Sequence, residues 1–456
     1  MIRYYQFISF LLLVTISYSY AQPTAREDWQ LMLNKLNLKV PDNLPDPAQD
    51  TKRPQNTFLK AGSKNWSDSA GNTYSRSVWG NWSNYNEENV GKYKLPDPLT
   101  LKNGKKVNNA ETWWKLRRPE IVNDYSTEVY GKIPENTPTV TFKVEFIDSA
   151  FMNGKVIKKL IVGHIDNSAY PAASPSVSFE LYIPAKAKLP VPMIVGVSSK
   201  YETYPTPQNQ MPSGIEKVIE AGWAFANFNT VGVQMDNGLG LNEGIIGLVN
   251  KGNSRKPNDW GAIAAWSWGL SRAFDYFETD KSIDSKRVGI QGHSRCGKTA
   301  LLAAALDTRW AIVFASCSGC MGASLEMRSW GENIDNVASS GEYHWMAGNF
   351  LKYGGNWASM PVDAHELIAL IAPRPVFITG GTQDQWADPK GEFLACVGAE
   401  PVYKLLGKKG LNVTNMPAPD VSLVDGEIAF RYHKGGHTDG LDWPVFIEFA
   451  KKQFSK

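Results

Sequence analysis

The sequence predicts an α/β fold, a three-layer sandwich whose mixed, mostly parallel sheet is covered by helices on both faces. Three observations carry that prediction. Short apolar runs alternate with helical patterns through the second half of the chain, as in β-α-β-α repeats. Before them come several strand-like runs without intervening helices, the signature of an antiparallel lead-in. Finally, the strand at 288–290 runs through Gly292-His293-Ser294 directly into a good helix former.

Taken in order, residues 22–95 are polar and broken by Pro, Asn, Ser and Lys, as in Pro41-Asp42-Asn43-Leu44-Pro45-Asp46-Pro47. They read as an extended arm around the main body and not as a domain of their own. The main domain is expected over 96–456. A helix is predicted over 111–130, with Trp113, Trp114 and Leu116 along an apolar stripe. Strands are predicted over 140–147, 160–164, 177–183, 193–197 and 224–228. A helix follows over 259–277, a strand over 288–290, a helix over 299–306 and a strand over 312–315. Strands at 375–379 and 428–432 and a helix at 444–454 complete the order.

The bulk properties narrow the class. The 456 residues carry 48 Lys+Arg against 45 Asp+Glu, a net charge of +3. So small an excess makes no case for nucleic acid or an anionic membrane as partner. The 16 Trp and 18 Tyr suit stacking on sugars and suit a large core equally well. Residues 1–21 read as a signal peptide: Arg3, an apolar run over 7–16, and Ser19-Tyr20-Ala21 as a small-x-small cleavage site. That run is short for a bilayer span, so a secreted or periplasmic protein free of the membrane is expected, and as a monomer. Cys296, Cys317, Cys320 and Cys396 are too few for a disulfide scaffold and read as buried thiols. The lone Cys317-x-x-Cys320 lacks the partners of a metal site.

The chemistry gathers around Gly292-His293-Ser294-Arg295-Cys296-Gly297-Lys298. A serine on a sharp strand-to-helix turn exposes its hydroxyl at the sheet's carboxyl edge, beside the N–H of the next residue. Gly292 is required because the turn is crowded. The second glycine stands one place later than in the usual G-x-S-x-G pattern. A nucleophile here calls for a base after the last strand and an acid between them. His437 and His433 are the two candidates for the base, and His437, in the loop Gly435-Gly436-His437-Thr438, is preferred. Asp384 and Asp388 are the candidates for the acid; Asp384 follows the Gly380-Gly381 pair directly, whereas Asp388 precedes Pro389 and can simply start a helix. His164, His293, His344 and His365 read as core or structural, with His293 pointing away from the nucleophile. Lys298 lies one helical turn after Ser294, so it and Arg295 can face one cleft; the alternative is solvated surface charge.

The motif G-x-S-R-x-G-K, with Trp113-Trp114, Trp266-Ser267-Trp268-Gly269 and Ile371-Ala372-Pro373-Arg374-Pro375, resembles carbohydrate esterase family fifteen, the glucuronoyl esterases, and looks like the bacterial branch. The resemblance implies an α/β-hydrolase that cuts the ester between 4-O-methyl-glucuronic acid on glucuronoxylan and lignin alcohols, without a cofactor or metal. It implies Ser294 as nucleophile, His437 as base, Arg295 at the oxyanion, and Lys298, Glu332 and Trp386 on the uronate hydroxyls. Two departures are visible. His293 replaces the bridged cysteine of the fungal branch, and Cys317 stands where many members carry a triad glutamate, which shifts the acid to Asp384. Rival readings are a glycan acetyl esterase on the same scaffold and an inactive glycan-binding hydrolase fold.

Overall fold

A computed structural model describes residues 25–199 and 212–456; the expected signal peptide at 1–21 lies outside the described residues. Ten strands form one sheet: β1 (Val140–Asp148), β2 (Val156–Ile165), β3 (Ser176–Pro184), β4 (Val191–Ser198), β5 (Ala224–Asn229), β6 (Ile283–His293), β7 (Ile312–Ser316), β8 (Val376–Gly381), β9 (Ser422–Leu423) and β10 (Ile428–His433). Their order across the sheet is β9-β10-β8-β7-β6-β4-β5-β3-β2-β1. From β5 through β4, β6, β7 and β8 to β10 every pairing is parallel, while β1, β2 and β3 form the antiparallel lead-in. The mixed sheet expected from the sequence is therefore the one observed.

The strands are apolar on both sides because both faces are covered. In β7, Val313 and Ala315 join one core cluster while Ile312 and Phe314 join the other. The first cluster packs under α2 (Ala262–Phe277), α3 (Arg295–Leu306) and α4 (Pro389–Leu405); the second packs under α5 (Trp443–Phe454). There Phe314 stacks on Phe446 at 4.8 Å between ring centroids, a contact worth about 0.5–1.5 kcal/mol beyond its buried area. Alternation along each strand thus decides which helix layer a side chain meets.

Three sequence expectations need correction. The helical stretch after residue 110 buries Trp113, Arg117, Ile121 and Tyr125, while Trp114 and Leu116 face solvent. The stretch opens into a wide π-type turn over Trp113–Arg117, which shifts the phase of the apolar face. His164 is not in the core: 55% of its side chain is exposed, and it pairs with Glu145 on the neighbouring β1.

The 25–95 segment begins not as extended chain but as a helix, α1 (Ala25–Lys35). Its Trp29, Met32 and Leu33 enter the main core, and the Trp29 indole donates to the carbonyl of Ala338. A small three-stranded antiparallel sheet follows. Beyond it Asn81 donates to Asp335, the carbonyl of Asn84 accepts from the N–H of Gly331, and Tyr85 meets Trp330 edge-on. The arm therefore braces the segment that carries Glu332.

Candidate active site

Four of the parallel strands end in turns that meet at one edge. Ser294 follows β6, Cys317 follows β7, Asp384 lies just past β8 and His437 just past β10. Register explains the meeting, since Ser316 pairs with His293 and Gly381 pairs with His433. The strands end level with one another and their loops share one rim.

Ser294 has φ 58° and ψ −131°, a conformation that costs a non-glycine residue on the order of 1–3 kcal/mol and clusters at functional sites. Its N–H donates to the carbonyl of Ser316 at 2.9 Å. A Cβ on Gly292 would run into the carbonyl of Cys296 as the chain doubles back. The displaced glycine has a separate reason. A Cβ on Gly297 would lie 2.9 Å from that of Ser318, so α3 can approach the turn after β7 only through a glycine there. Cys296 is free to carry a side chain because it points into the core, and burial pushes its thiol up to about 11. Arg295 opens α3, so its N–H belongs to a first turn without intrahelical acceptors and suits an oxyanion.

His437 Nδ1 lies 2.7 Å from Asp384 Oδ2, with Asp384 buried and 44% of the His437 side chain exposed. The other candidates do different work. His433 is fully buried and pairs with Asp442 at 3.2 Å. Asp388 caps α4 by accepting from the N–H of Gly391, and it pairs with Arg328 at 2.8 Å. The thiol of Cys317 stands beside Asp384 and His437, so the three donor atoms lie within 4.8 Å of one another. Contrary to expectation, His293 does not point away: its ring lies 4.3 Å from that of His437. Burial, and then the neighbouring His437, push His293 down to about 4, so it is neutral at ordinary pH.

Arg295 and Lys298 face opposite fates. The Arg295 Nε pairs with Asp236 Oδ2 at 3.0 Å and donates to the Ser199 hydroxyl at 3.4 Å, and 42% of its side chain stays exposed. Asp236 also accepts from the Trp345 indole at 2.6 Å and lies 3.1 Å from His344 Nε2, so a buried cradle aims the arginine. Lys298 is not a solvated surface charge. It is 3% exposed, pairs with Glu332 at 2.6 Å, and donates to the carbonyls of Ser318 and Cys320. All three ammonium protons thus have protein acceptors. The Trp345 ring lies under both cations, at 5.7 Å and 5.9 Å. Trp386 is half-buried, and its carbonyl accepts from the N–H of Glu332 at 2.8 Å.

Sequence reasoning missed Asp236, Trp345 and Glu342. Glu342 is the least expected. One carboxylate oxygen is buried without a hydrogen-bond partner, and burial, followed by repulsion from Glu332, pushes the group up to about 8. None of the three lies in a motif; only their loops' return to the same rim reveals them.

A family model described as "Glucuronyl esterase, fungi" matches residues 170–407. "Carbohydrate esterase MZ0003", from an unknown prokaryotic organism, is 36% identical over 400 residues, covering 80% of this chain and 91% of that protein. The chain belongs to the glucuronoyl esterase family. Among solved structures, a CE15 glucuronoyl esterase from Teredinibacter turnerae T7901 is 34% identical with a TM-score of 0.78, covering 94% of this chain and 100% of that one. The fungal 4-O-methyl-glucuronoyl methylesterase of Cerrena unicolor is 28% identical over 70% of this chain, which spans 63% of that protein's length. The α/β-hydrolase fold and the bacterial affinity expected from the sequence agree with these relatives.

Proposed function

We propose that this glucuronoyl esterase family member hydrolyses esters of 4-O-methyl-glucuronic acid, as in the links between glucuronoxylan and lignin alcohols. Ser294 is the nucleophile, with His437 and Asp384 completing its triad. The observation that carries the reading is the 2.7 Å His437–Asp384 contact on the rim where the strained Ser294 turn ends. His437 takes the Ser294 proton, and the alkoxide attacks the C6 carbonyl of the uronate. The Arg295 N–H and guanidinium meet the oxyanion, and His437 protonates the departing alcohol. Water then releases the uronate by the same steps in reverse roles. Residues 96–456 act as the catalytic domain and 22–95 as its bracing arm. The enzyme is exported by the N-terminal segment; among the described residues no helix is long and apolar enough to cross a membrane.

The pairing of Lys298 with Glu332 refines the substrate contacts. Lys298 holds the Glu332 carboxylate in place, and Glu332, beside Trp386, presents its remaining acceptor capacity to the sugar hydroxyls. Benzyl or methyl glucuronate should be turned over in preference to acetylated sugar esters. Lys298→Ala should lower kcat/KM on the glucuronate ester by at least about 100-fold, the scale of losing a buried charge partner, and affect an acetyl ester much less. Preference for the acetyl ester in the wild type would replace this reading with that of a glycan acetyl esterase.

Glu342 supplies a pH dependence. With its folded value raised to about 8, it is a neutral hydrogen-bond donor in the cleft at pH 7 and becomes an anion near Glu332 above pH 8. KM for the glucuronate ester should therefore rise on the alkaline side, and Glu342→Gln should flatten that limb. The sign for stability follows from the same shift. An unfolded carboxyl ionises near 4.5 and the folded one near 8, so stability is lost as pH rises between those values. Glu342→Gln should accordingly raise Tm at pH 7 and leave it unchanged near pH 4.

A further inference from the structure

We propose that Cys317, Asp384 and His437 form a latent site for a soft divalent cation, Zn2+ or Cd2+, whose occupation arrests the esterase. The three donors come from turns after three different strands, and their sulfur, oxygen and nitrogen atoms lie within 4.8 Å of one another. A tetrahedral zinc site, with bonds of about 2.0–2.3 Å to N, O and S, needs donors about 3.5 Å apart. Each side chain then has to move by less than about 1 Å. His437 has that freedom, being partly exposed in a loop between glycines. Three protein ligands with one open position is the stoichiometry of an accessible zinc site. Hard cations are excluded by the donor set, because Mg2+ and Ca2+ take six or more oxygen ligands.

The surroundings favour a cation. Asp439 and Asp442 lie near the His293–His437 pair. The backbone of Cys317, at φ 48°, is held by its N–H donating to the carbonyl of Thr379 at 2.7 Å, so the sulfur is fixed beside the acid–base pair. On binding, the Cys317 S–H bond breaks and a sulfur–metal bond forms, with the proton leaving to buffer. The proton that His437 Nδ1 shares with Asp384 passes through solvent to Nε2, which frees Nδ1 and the Asp384 carboxylate to bind the metal, and nothing is oxidised or reduced. The general base is then unavailable to Ser294. Binding stands on the cluster's geometry alone; the arrest rests on the triad reading above.

The test is titration of the full-length protein with Cd2+, following the ultraviolet thiolate-to-cadmium charge-transfer band alongside esterase activity. One equivalent should produce the band and remove activity, chelation by EDTA should restore it, and millimolar Mg2+ should do neither. Cys317→Ser and Cys317→Ala should lose the band. Their inhibiting metal concentration should rise by more than the roughly 10–100-fold that a missing outer-shell partner costs. Cys396→Ser, at a buried thiol outside the cluster, should behave as wild type. No band in the wild type, or a band that survives in both Cys317 variants, overturns the site. A Cys317-dependent band without loss of activity leaves the site standing and overturns the arrest, and with it the triad assignment.

Discussion

Ser294→Ala should lower kcat on a glucuronate ester by roughly 10^6-fold, the scale seen when a triad serine is removed from a serine hydrolase. The expected residue of activity is what the oxyanion donors and binding supply without a covalent step. Thermal unfolding should move little. The Ser294 side chain is not a core group, and the hydrogen bond that ties the turn to β7 is made by its backbone N–H to Ser316, which alanine keeps. Alanine tolerates the positive φ of this turn no better than serine, so the strain at φ 58° is inherited and not relieved. Steady-state turnover on benzyl glucuronate, with a parallel unfolding curve, decides the matter. Substantial turnover by a folded variant would remove Ser294 from the mechanism.

The second large effect concerns the acid. Asp384→Asn should cost about 10^4-fold in kcat, as when a triad aspartate becomes an amide and the histidine is held in the wrong tautomer. The contact at stake is the 2.7 Å bond to His437 Nδ1, which a carboxylate accepts and an amide nitrogen cannot. Cys317 stands close by but offers no rescue, because burial, the largest cause of its raised thiol, persists in the variant and keeps it neutral. Asp388→Asn provides the contrast. It breaks an ion pair with Arg328 in which both side chains are 2% exposed and weakens the cap of α4. The expected loss is on the order of 3–5 kcal/mol of stability, with kcat largely retained in the folded fraction. If Asp388→Asn impairs kcat and Asp384→Asn does not, the acid assignment is reversed.

These two outcomes also mark how far the sequence could be read. The serine turn is legible because its requirements are local: a strand, a crowded glycine turn and a helix within some twenty residues. His433 and His437 are equally placed by the sequence, since both come at the end of the last strand. Their separate surroundings come from Asp442, which pairs with buried His433, and from Asp384, which pairs with half-exposed His437. The helix after residue 110 lies where the pattern predicts it, but its buried face keeps Trp113 and turns Trp114 and Leu116 to solvent. A π-type turn at Trp113–Arg117 changes the angular step that any 3.6-residue pattern assumes. The arm's polar composition likewise concealed α1, whose three apolar anchors are spaced for one narrow contact and not for a full amphipathic face.

The sequence by itself determined the order of the elements, the two-faced burial of the strands and the serine turn with its displaced glycine, because each is set by neighbours along the chain. Only the tertiary structure decided that Lys298 is a buried partner of Glu332, that Asp236 aims Arg295 and that His293 packs on His437. It also placed Glu342 and Cys317 at the rim. These relations join turns from different strands, brought level by sheet order and register. A local pattern holds no record of which loop will stand opposite it, and the charge state of a side chain depends on that neighbour and on the water both exclude.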